Sequence, residues 1–433
     1  MSHKTYFIAV FLCAFMLFPL AGEAANNPVQ EEAFQDLALG MFIHWSVDSQ
    51  LGSVISHSMA GASDAYLDRF INELPAQFYP TKFKPEEWAR LAKLAGMKYV
   101  IFTTKHHSGF CMFETQTTNF NIMNTPYGKD ITAAIVDAFR QQGVHVGFYF
   151  SPDDFWLLHQ QGLDVSRRRP EVYPSNNPAL MAHNKQQLRE LLHNYGAIEF
   201  LFIDGEPDGL KELAWELQPN LLVTRGEMET PEQKIPGDPL PGPWEACFTL
   251  GTQWHYKPTN EDYKSGTKLI EMLIETRAKG GNLLLNVGPK PNGEIPIGQE
   301  ERIREMALWL FINREAIYEI RPWHVTHEDN IWFTQAKDSD TVYAIITGMP
   351  NWKRGERKTI TLKSVRATER SQFDMLGQTS RVVEYSPDQN PEIRWEQDGE
   401  GLHVSCVRAQ RIYNNQKWPN PLVLRITHAK AVE

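Results

Sequence analysis

The stretch FLFIDG, residues 200–205, shows the pattern that decides the fold, a short apolar run that ends in a polar side chain. Runs of this kind recur along the chain and predict seven strands: Met41–Trp45, Tyr99–Thr104, Val144–Phe150, Ile198–Asp204, Leu221–Arg225, Trp244–Thr249 and Asn282–Val287. A strand that is apolar at almost every position is buried on both faces, as in a parallel sheet covered by helices. We therefore expect these strands to form such a sheet.

Segments of helical period separate the predicted strands. They are Pro85–Leu94, Ile131–Gln142, Ala182–Tyr195, Leu210–Leu217 and Tyr263–Lys279. In the third of them, Leu188, Leu191 and Leu192 lie at positions i, i+3 and i+4, on one face of a helix. Repeated β-then-α units predict right-handed crossovers. Seven visible strands of a possible eight favour an α/β fold of the (β/α)8 TIM-barrel type over an open doubly wound sheet.

The pattern changes near Pro322. A long helical stretch, Gly298–Glu319, closes the first region. Runs with a period of two follow, separated by Gly, Asp, Asn and Pro: Val342–Ile346, Thr359–Leu362, Leu402–Val407 and Leu422–Ile426. Such alternation is typical of antiparallel strands with one buried face. We expect a catalytic barrel domain over residues 25–322 and a C-terminal antiparallel β-sandwich domain over residues 323–433.

The N-terminus has the features of an export signal. His3 and Lys4 precede an apolar run, Tyr6–Leu20, and the small residues of Ala21–Ala24 follow it. This pattern predicts a signal peptide over residues 1–24 and a periplasmic or secreted protein. The apolar run is shorter than a membrane span requires, so no span is expected after signal cleavage.

Composition narrows the classes of partner and cofactor. The net charge of −10 argues against nucleic acid as a partner, because proteins that bind it carry basic surfaces. Cys111, Cys247 and Cys406 are widely spaced, which predicts neither a disulfide framework nor a thiolate zinc site. Adjacent strand residues point to opposite faces, so His106 and His107 are not expected to chelate one ion unless the strand has ended and the backbone has turned. We expect no metal and no organic cofactor.

Polar residues that follow the apolar runs are the candidate functional groups, because catalytic side chains of a barrel come from the carboxyl ends of its strands. They include His44, the block KHHSGF at residues 105–110, Asp204 and Arg225. The carboxylate of Asp204 needs a partner, since an isolated buried charge is costly. It could cap a helix that begins near Pro207, or it could act as a nucleophile held on a rigid strand.

These blocks together resemble glycoside hydrolase family 29, the α-L-fucosidases. The stretch GMFIHW, residues 40–45, resembles the family's first strand with its sugar-binding His, and KHHSGF resembles its KHHDGF block with Ser108 in place of Asp. The stretch GGNLLLNVGP, residues 280–289, matches a later block closely. The similarity spans residues 33–320, and the family carries a barrel followed by a C-terminal β-sandwich.

The resemblance implies a retaining exo-glycosidase that removes α-linked L-fucose by double displacement. It implies Asp204 as the nucleophile and Glu232 as the acid/base, with Glu245 and Glu227 as competitors for the second role. The expected substrate is a fucosylated oligosaccharide or glycoconjugate. The residues expected to contact it are His44, Trp45, His57, His106, His107, Tyr149, Phe202, Arg225, Glu245 and Trp254.

Two departures from the family pattern keep other functions open. The chain has Ser56-His57-Ser58 where many members have Ser-Glu-Trp, and Phe202 where some have Trp. A catalytically silent barrel protein that binds fucose or glycans is one alternative. A glycosidase of related glycone specificity, such as a galactosidase-like enzyme, is another. Linkage, aglycone and oligomeric state have no readable signal in the sequence.

We predict that the mature protein begins near residue 25. The apolar run after Lys4 and the small residues that follow it are the features of a cleaved leader. N-terminal sequencing of protein recovered from the periplasm or the medium of expressing cells tests this. Mature protein that still begins at Met1 would contradict the prediction.

Overall fold

The computed structural model describes residues 25–348, 352–412 and 419–432, so the predicted signal peptide lies outside the described residues. The first part of the chain forms a parallel sheet of seven strands: β1 (Leu39–Ile43), β2 (Tyr99–Lys105), β3 (His145–Phe150), β4 (Phe200–Ile203), β5 (Leu222–Val223), β6 (Glu245–Thr249) and β7 (Asn282–Val287). Their order in the sheet is β5-β4-β3-β2-β1-β7-β6. The predicted strands are confirmed, with ends that differ by at most two residues.

An extended segment, residues 229–233, stands where an eighth strand is expected. It runs parallel to β6: the amide of Cys247 donates to the carbonyl of Pro231 at 3.0 Å, and the amide of Gln233 donates to the carbonyl of Cys247 at 2.9 Å. The segment follows β5 in the chain and pairs with β6, and these two are the edge strands of the sheet, so it stands on the side where an eighth strand would close the barrel. Glu232 lies on this closing segment.

Nine helices occur within the described residues. They are α1 (Pro28–Leu37), α2 (Asp64–Gln77), α3 (Pro85–Leu94), α4 (Ile131–Gln141), α5 (Phe155–Gln160), α6 (Pro178–Asn194), α7 (Lys211–Leu217), α8 (Gly266–Ala278) and α9 (Ile297–Asn313). Side-chain caps begin several of them: the carboxylate of Asp130 accepts from the amide of Ala133 at the start of α4, and the Ser265 hydroxyl accepts from Lys268 at the start of α8.

The predicted helices are confirmed, except that the stretch predicted as Gly298–Glu319 is α-helical only to Asn313, and three further helices were not predicted. In α6, Leu188, Leu191 and Leu192 are all buried, as their spacing predicts. Helix α1 buries only Phe34, so it has no apolar stripe to read. Helix α2 contains an internal Pro75, and α5 has only 6 residues, too few for a helical period to show.

Aromatic side chains fill the barrel interior. Phe34 of α1 closes the amino end, with its ring centroid 5.5 Å from both Tyr99 and Phe200. Gly40 of β1 leaves room for this packing, since a Cβ atom there would lie 2.4 Å from the Tyr99 ring. The interior cluster continues upward through Ile101, Leu222, Leu284, Phe42, Tyr149, Phe202 and Cys247. The space left for a substrate is therefore at the carboxyl end.

Glu245 lies at the amino end of this interior, because it is the first residue of β6. It is 0% exposed, and its Oε2 accepts a hydrogen bond of 2.5 Å from the Tyr99 hydroxyl. Its Oε1 has no hydrogen-bond partner among the described residues. Burial raises the pKa of Glu245 from 4.5 to about 7, so the carboxyl group holds its proton over most of the acidic range.

The C-terminal domain is built from antiparallel strands. They are β8 (Ile320–Glu328), β9 (Ile331–Ala336), β10 (Val342–Ile346), β11 (Arg357–Leu362), β12 (Val365–Arg366), β13 (Phe373–Met375), β14 (Arg394–Gln397), β15 (Leu402–Val407), β16 (Leu422–Ile426) and β17 (Lys430–Ala431). A five-stranded sheet, β13-β16-β10-β9-β8, shares one core with a three-stranded sheet, β11-β15-β14, and a third sheet pairs β12 with β17. The predicted β-sandwich is confirmed.

Other features differ from or extend the sequence-based expectations. Strand β8 begins at Ile320, so the predicted domain boundary between residues 322 and 323 falls inside a strand. Cys111, Cys247 and Cys406 are buried, free thiols. In the part of the chain that the structure describes, no helix combines the length and the apolar character that a membrane crossing requires.

We predict that Glu245→Gln stabilises the fold at alkaline pH and much less in acid. Because the folded state raises this pKa from 4.5 to about 7, the stability that the protonated carboxyl contributes is lost as pH rises through this window. The amide stays neutral at every pH. The free energy of unfolding of the variant, relative to that of the native chain, should therefore be about 3 kcal/mol higher at pH 8 than at pH 4. Denaturant unfolding at both pH values measures the difference.

Glu229→Gln is the matched control, since Glu229 is an exposed carboxylate of the neighbouring closing segment. It should change the stability little and equally at both pH values. A Glu245→Gln variant whose stability relative to the native chain is independent of pH would contradict the assignment of a raised pKa.

Candidate active site

A cavity of about 90 Å³ opens at the carboxyl end of the barrel. We call it the barrel pocket. Its walls come from residues that follow or end the strands and from two loops: Phe42, His44, Ile55, His57, His106, His107, Tyr149, Arg167, Phe202, Asp204, Arg225, Glu232, Cys247 and Trp254. The two predicted catalytic carboxylates, Asp204 and Glu232, are thus brought together in one cavity.

The backbone of β4 fixes the position of Asp204. Side chains of a strand alternate between its two faces, so Asp204 continues the inward row of Phe200 and Phe202. Its Oδ2 accepts a hydrogen bond of 2.7 Å from the Tyr149 hydroxyl, and its Oδ1 accepts one of 3.1 Å from Nη1 of Arg225. The sequence left open that Asp204 caps a helix. In the structure its carboxylate contacts Tyr149 and Arg225 instead.

These contacts keep Asp204 ionised. Burial raises its pKa, but His107, Arg225 and the Tyr149 hydroxyl outweigh this effect and bring the pKa to about 2. Burial lowers the pKa of His107 to about 3, so at neutral pH it is uncharged and Arg225, the Tyr149 hydroxyl and Arg167 keep Asp204 ionised. The side chain is 21% exposed, which leaves it accessible from the pocket. It has the charge and the exposure that a nucleophile needs.

Arg225 joins the two carboxylates. While Nη1 contacts Asp204, its Nη2 donates to Oε2 of Glu232 at 3.0 Å. Nε of Arg225 also donates to the Thr230 hydroxyl at 3.2 Å, and the guanidinium lies 4.8 Å from the centre of the Phe202 ring. The position of Arg225 is therefore fixed from three sides. Glu232 is the more exposed of the two acids, at 43% against 21%.

Three buried histidines face the same pocket with one nitrogen each. Every ring is held through Nδ1, which leaves its Nε2 for a ligand. The contacts join His44 to Asn286 Oδ1 at 2.7 Å, His106 to Ser56 Oγ at 2.9 Å and His107 to Ser151 Oγ at 2.6 Å. Burial lowers the pKa of His44 and of His107 to about 3 and that of His106 well below its usual range. All three are neutral at physiological pH. Nδ1 of His44 donates to the amide oxygen of Asn286, so its Nε2 is an acceptor, whereas the serine partners of His106 and His107 allow Nε2 of these rings to accept or to donate.

His106 and His107 do not point to opposite faces, because the exception that the sequence left open applies: the strand ends before them. Strand β2 ends at Lys105 and the chain then turns, so both rings face the pocket with centroids 4.2 Å apart. One ligand atom from each ring and one from Asp204 lie within 4.8 Å of one another, close enough to be considered as metal ligands. The distance between the two histidines therefore does not argue against a metal ion, and the absence of a metal stays a prediction.

Aromatic rings form the apolar wall. The His106 ring stacks on Tyr149 at 5.2 Å with an interplanar angle of 3°, and Tyr149 stacks on Phe202 at 5.6 Å. Trp254 lies 4.9 Å from His44 and 5.9 Å from Phe42. A pyranose ring in the pocket would therefore meet apolar faces on one side and the polar groups of the histidines and carboxylates on the other.

A tight turn brings His57 to the pocket. Ser56 has a φ of +59°, a region that residues with a side chain seldom adopt. The turn is held because the Ser56 amide donates to Oδ2 of the fully buried Asp48 at 2.6 Å, while its hydroxyl contacts His106. The His57 ring then lies 5.2 Å from the His107 ring. The motif that departs from the family pattern thus forms part of the site.

Two predicted contact residues are not in the barrel pocket. Trp45 follows His44, so it points outward from the barrel, where it packs on Phe83 and Trp88 at 5.2 and 5.3 Å. Glu245 begins its strand instead of ending it, and so lies at the opposite end of the barrel. The predictions that these residues contact substrate, and that Glu245 competes for the acid/base role, do not agree with these positions.

Glu227, the other competitor, lies on the outer surface near the closing segment. Its Oε2 accepts from Nζ of Lys211 at 2.8 Å, and it does not line the barrel pocket. This leaves Glu232 as the only one of the three candidate acids in the pocket.

Sequence reasoning missed four lining residues: Phe42, Ile55, Arg167 and Cys247. The period of two could have found Phe42 and Cys247, because each lies two residues from an inward position of its strand. Ile55 and Arg167 come from loops and carry no such signal. Arg167 pairs through Nε with Oδ2 of Asp153 at 2.7 Å.

Proteins named alpha-L-fucosidase are similar in sequence to this chain. Plasma alpha-L-fucosidase from Rattus norvegicus is 30% identical over 364 residues, which cover 73% of this chain and 77% of the rat protein. Tissue alpha-L-fucosidase from the same organism is 29% identical over 422 residues, which cover 84% of this chain and 83% of that protein.

Solved structures share the fold. Alpha-L-fucosidase isoenzyme 1 from Paenibacillus thiaminolyticus has a TM-score of 0.75 at 27% identity, covering 93% of this chain and 99% of its own. A GH29 alpha-L-fucosidase from Bacteroides thetaiotaomicron, a covalent intermediate trapped with 2-fluoro-fucosyl fluoride, has a TM-score of 0.74 at 22% identity, covering 95% and 98%. The model of the alpha-L-fucosidase family matches residues 21–315, more than half of the chain. The chain belongs to the alpha-L-fucosidase family, glycoside hydrolase family 29.

Proposed function

We propose that this protein is a retaining exo-α-L-fucosidase in which Asp204 is the nucleophile and Glu232 is the acid/base. The observation that carries the proposal is the environment of Asp204, an ionised carboxylate at the end of an inward-facing strand, held by Tyr149 and Arg225 beside a second carboxylate. Membership of the family agrees with this reading. The substrate would be a fucosylated oligosaccharide or glycoconjugate.

The first step forms a covalent intermediate. A carboxylate oxygen of Asp204 attacks the anomeric carbon, and the bond to the glycosidic oxygen breaks. Glu232, in its protonated form, gives its proton to the departing oxygen. Nη2 of Arg225 contacts Oε2 of Glu232 at 3.0 Å, so the glycosidic oxygen has to take the place of this contact for the proton transfer to occur.

The second step releases fucose. Glu232, now ionised, takes a proton from a water molecule, whose oxygen attacks the anomeric carbon. The bond to Asp204 breaks and the carboxylate is restored. Arg225 and the Tyr149 hydroxyl stabilise the negative charge that returns to Asp204, which makes it a good leaving group. Two inversions at the same carbon leave the α configuration unchanged.

The pocket walls suit a 6-deoxy sugar. The Nε2 atoms of His44, His106 and His107 face the pocket and can bind ring hydroxyls, His44 as an acceptor and the other two as acceptors or donors. Phe42 and Trp254 offer an apolar surface for the methyl group that replaces the hydroxymethyl group of other hexoses. We also propose that the protein works in the periplasm or outside the cell, supported by the pattern of its first 24 residues.

We predict that Asp204→Ala lowers kcat on an aryl α-L-fucoside by about 1,000-fold or more, whatever the leaving group, because no covalent intermediate can form. Azide can take the place of the missing carboxylate and attack the anomeric carbon directly. The product should therefore be β-L-fucosyl azide, which nuclear magnetic resonance identifies. An α product, or near-native turnover without azide, would contradict the role of Asp204.

We predict a different rescue for Glu232→Ala. A nitrophenyl leaving group needs little protonation, so the first step should survive and the intermediate should accumulate, which lowers KM as well as kcat. Azide needs no general base, and its attack on the intermediate should restore turnover and give α-L-fucosyl azide. Hydrolysis of a natural oligosaccharide should fall far more than that of the nitrophenyl substrate.

Glu227→Ala is the control for this variant, since Glu227 is a carboxylate of the same loop outside the barrel pocket. Its kinetics should be near native and insensitive to azide. If Glu227→Ala shows the rescue and Glu232→Ala does not, the acid/base role belongs to Glu227.

A further inference from the structure

The mouth of the barrel pocket consists of three residues. His57, Arg167 and Glu232 are the exposed members of its lining, and all the others are buried or half-buried. With a fucosyl ring inside the pocket, the rest of the substrate has to pass between these three side chains. The mouth therefore contacts the leaving group.

Arg167 is held at the mouth by a buried acid. Asp153, which lies just beyond the carboxyl end of β3, is 3% exposed at its side chain, whereas Arg167 is 41% exposed. The contact joins Nε of Arg167 to Oδ2 of Asp153 at 2.7 Å. Asp153 is the only hydrogen-bond or ion-pair partner of Arg167 within the described ranges. Because this contact uses Nε, the two Nη groups remain for a ligand.

A second cavity opens on the outer side of Arg167. It has a volume of about 560 Å³ and is lined by Asp153, Arg167, Val172, Tyr173, Gly205 and Glu206. We call it the side cavity. Arg167 belongs to the lining of both spaces, so its guanidinium lies between the side cavity and the barrel pocket.

Among the three charged residues that line the side cavity, Arg167 is the donor, and Asp153 and Glu206 are acids. The carboxylate of Glu206 is occupied: one oxygen accepts from the Ser175 amide at 2.8 Å and the other from the Ser175 hydroxyl at 2.6 Å. Asp153 is buried behind Arg167. A guanidinium that is fixed at Nε and open at both Nη groups fits the two oxygens of a carboxylate or a sulfate ester.

We propose that Arg167 is a specificity-determining residue that binds an anionic substituent, a carboxylate or a sulfate ester, on the leaving group in the side cavity. The proposal rests on the proposed function for the placement of fucose in the barrel pocket. It adds a substrate class, acidic fucosylated glycans. The opposite side of the mouth differs, because Glu232 offers negative charge there and its neighbour Arg225 is engaged by both pocket carboxylates.

The test compares two aryl α-L-fucosides that differ in one charge. They are 4-(carboxymethyl)phenyl α-L-fucoside and its neutral amide, 4-(carbamoylmethyl)phenyl α-L-fucoside, whose methylene group keeps the leaving-group acidities similar. The native enzyme should favour the carboxylate by about tenfold in kcat/KM, mainly through KM, as a charged hydrogen bond of this kind supplies. Arg167→Met should bring the ratio to about one, and Arg167→Lys should leave an intermediate ratio.

Arg168→Met is the matched control, because Arg168 is the exposed neighbour that lines neither cavity. It should keep the native ratio and the native activity. A native ratio near one, or a ratio that survives in Arg167→Met, overturns the proposal. An equal loss on both substrates in Arg167→Met, with the ratio kept, also overturns it and leaves Arg167 as a residue that only positions Asp153.

Binding to the Asp204→Ala protein separates this proposal from the proposed function. Calorimetry on that variant should give the carboxylate about tenfold higher affinity than the amide, even if neither compound is hydrolysed by the native chain. Equal affinities, or no binding of either compound, overturn the proposal. If the native chain hydrolyses neither compound but the variant still binds the carboxylate more tightly than the amide, only the proposed function is contradicted.

Discussion

The charge on Asp204 is the constraint on which the site depends. A carboxylate at the inner end of a buried strand stays ionised only if fixed groups compensate it. Arg225 and Tyr149 do so from two neighbouring positions of the barrel rim, and each is itself fixed by packing on Phe202. The same guanidinium also reaches Glu232, so one cation couples the two carboxylates. The relative geometry of nucleophile and proton donor thus depends on how β4, β5 and the closing segment are arranged.

The barrel interior supports this arrangement from below. Phe34 closes the amino end, the aromatic layer of Tyr99 and Phe200 follows, and Tyr149 and Phe202 form the floor of the pocket. Successive layers are two residues apart along each strand, so the polar groups lie at the carboxyl end because they follow the last inward-facing apolar residues. The irregular closing segment fits the same view, since a flexible loop could not hold Glu232 against Arg225, whereas a segment bonded to β6 can.

Much of the barrel was predictable from the sequence, because its strands are nearly continuous apolar runs and the polar residue after each run marks the carboxyl end. Asp204, Arg225 and the pocket histidines were found in this way. The errors have physical causes. Trp45 shares a strand end with His44 but faces outward, and Glu245 sits at the start of its strand, so a polar residue next to an apolar run can lie at either end of the barrel. Arg167 comes from a loop, whose position no periodicity encodes, and the eighth position is filled by a segment with Pro231 that lacks any strand pattern.

Covalent trapping tests the central claim, that Asp204 is the nucleophile, most directly. The native protein is incubated with 2-fluoro-fucosyl fluoride, digested with trypsin and examined by mass spectrometry. The account predicts that one 2-fluoro-fucosyl group adds to the peptide between Arg189 and Lys211, and that fragmentation places it on Asp204. A label on Glu232 or on any other side chain, or inactivation without a covalent adduct, would contradict the account.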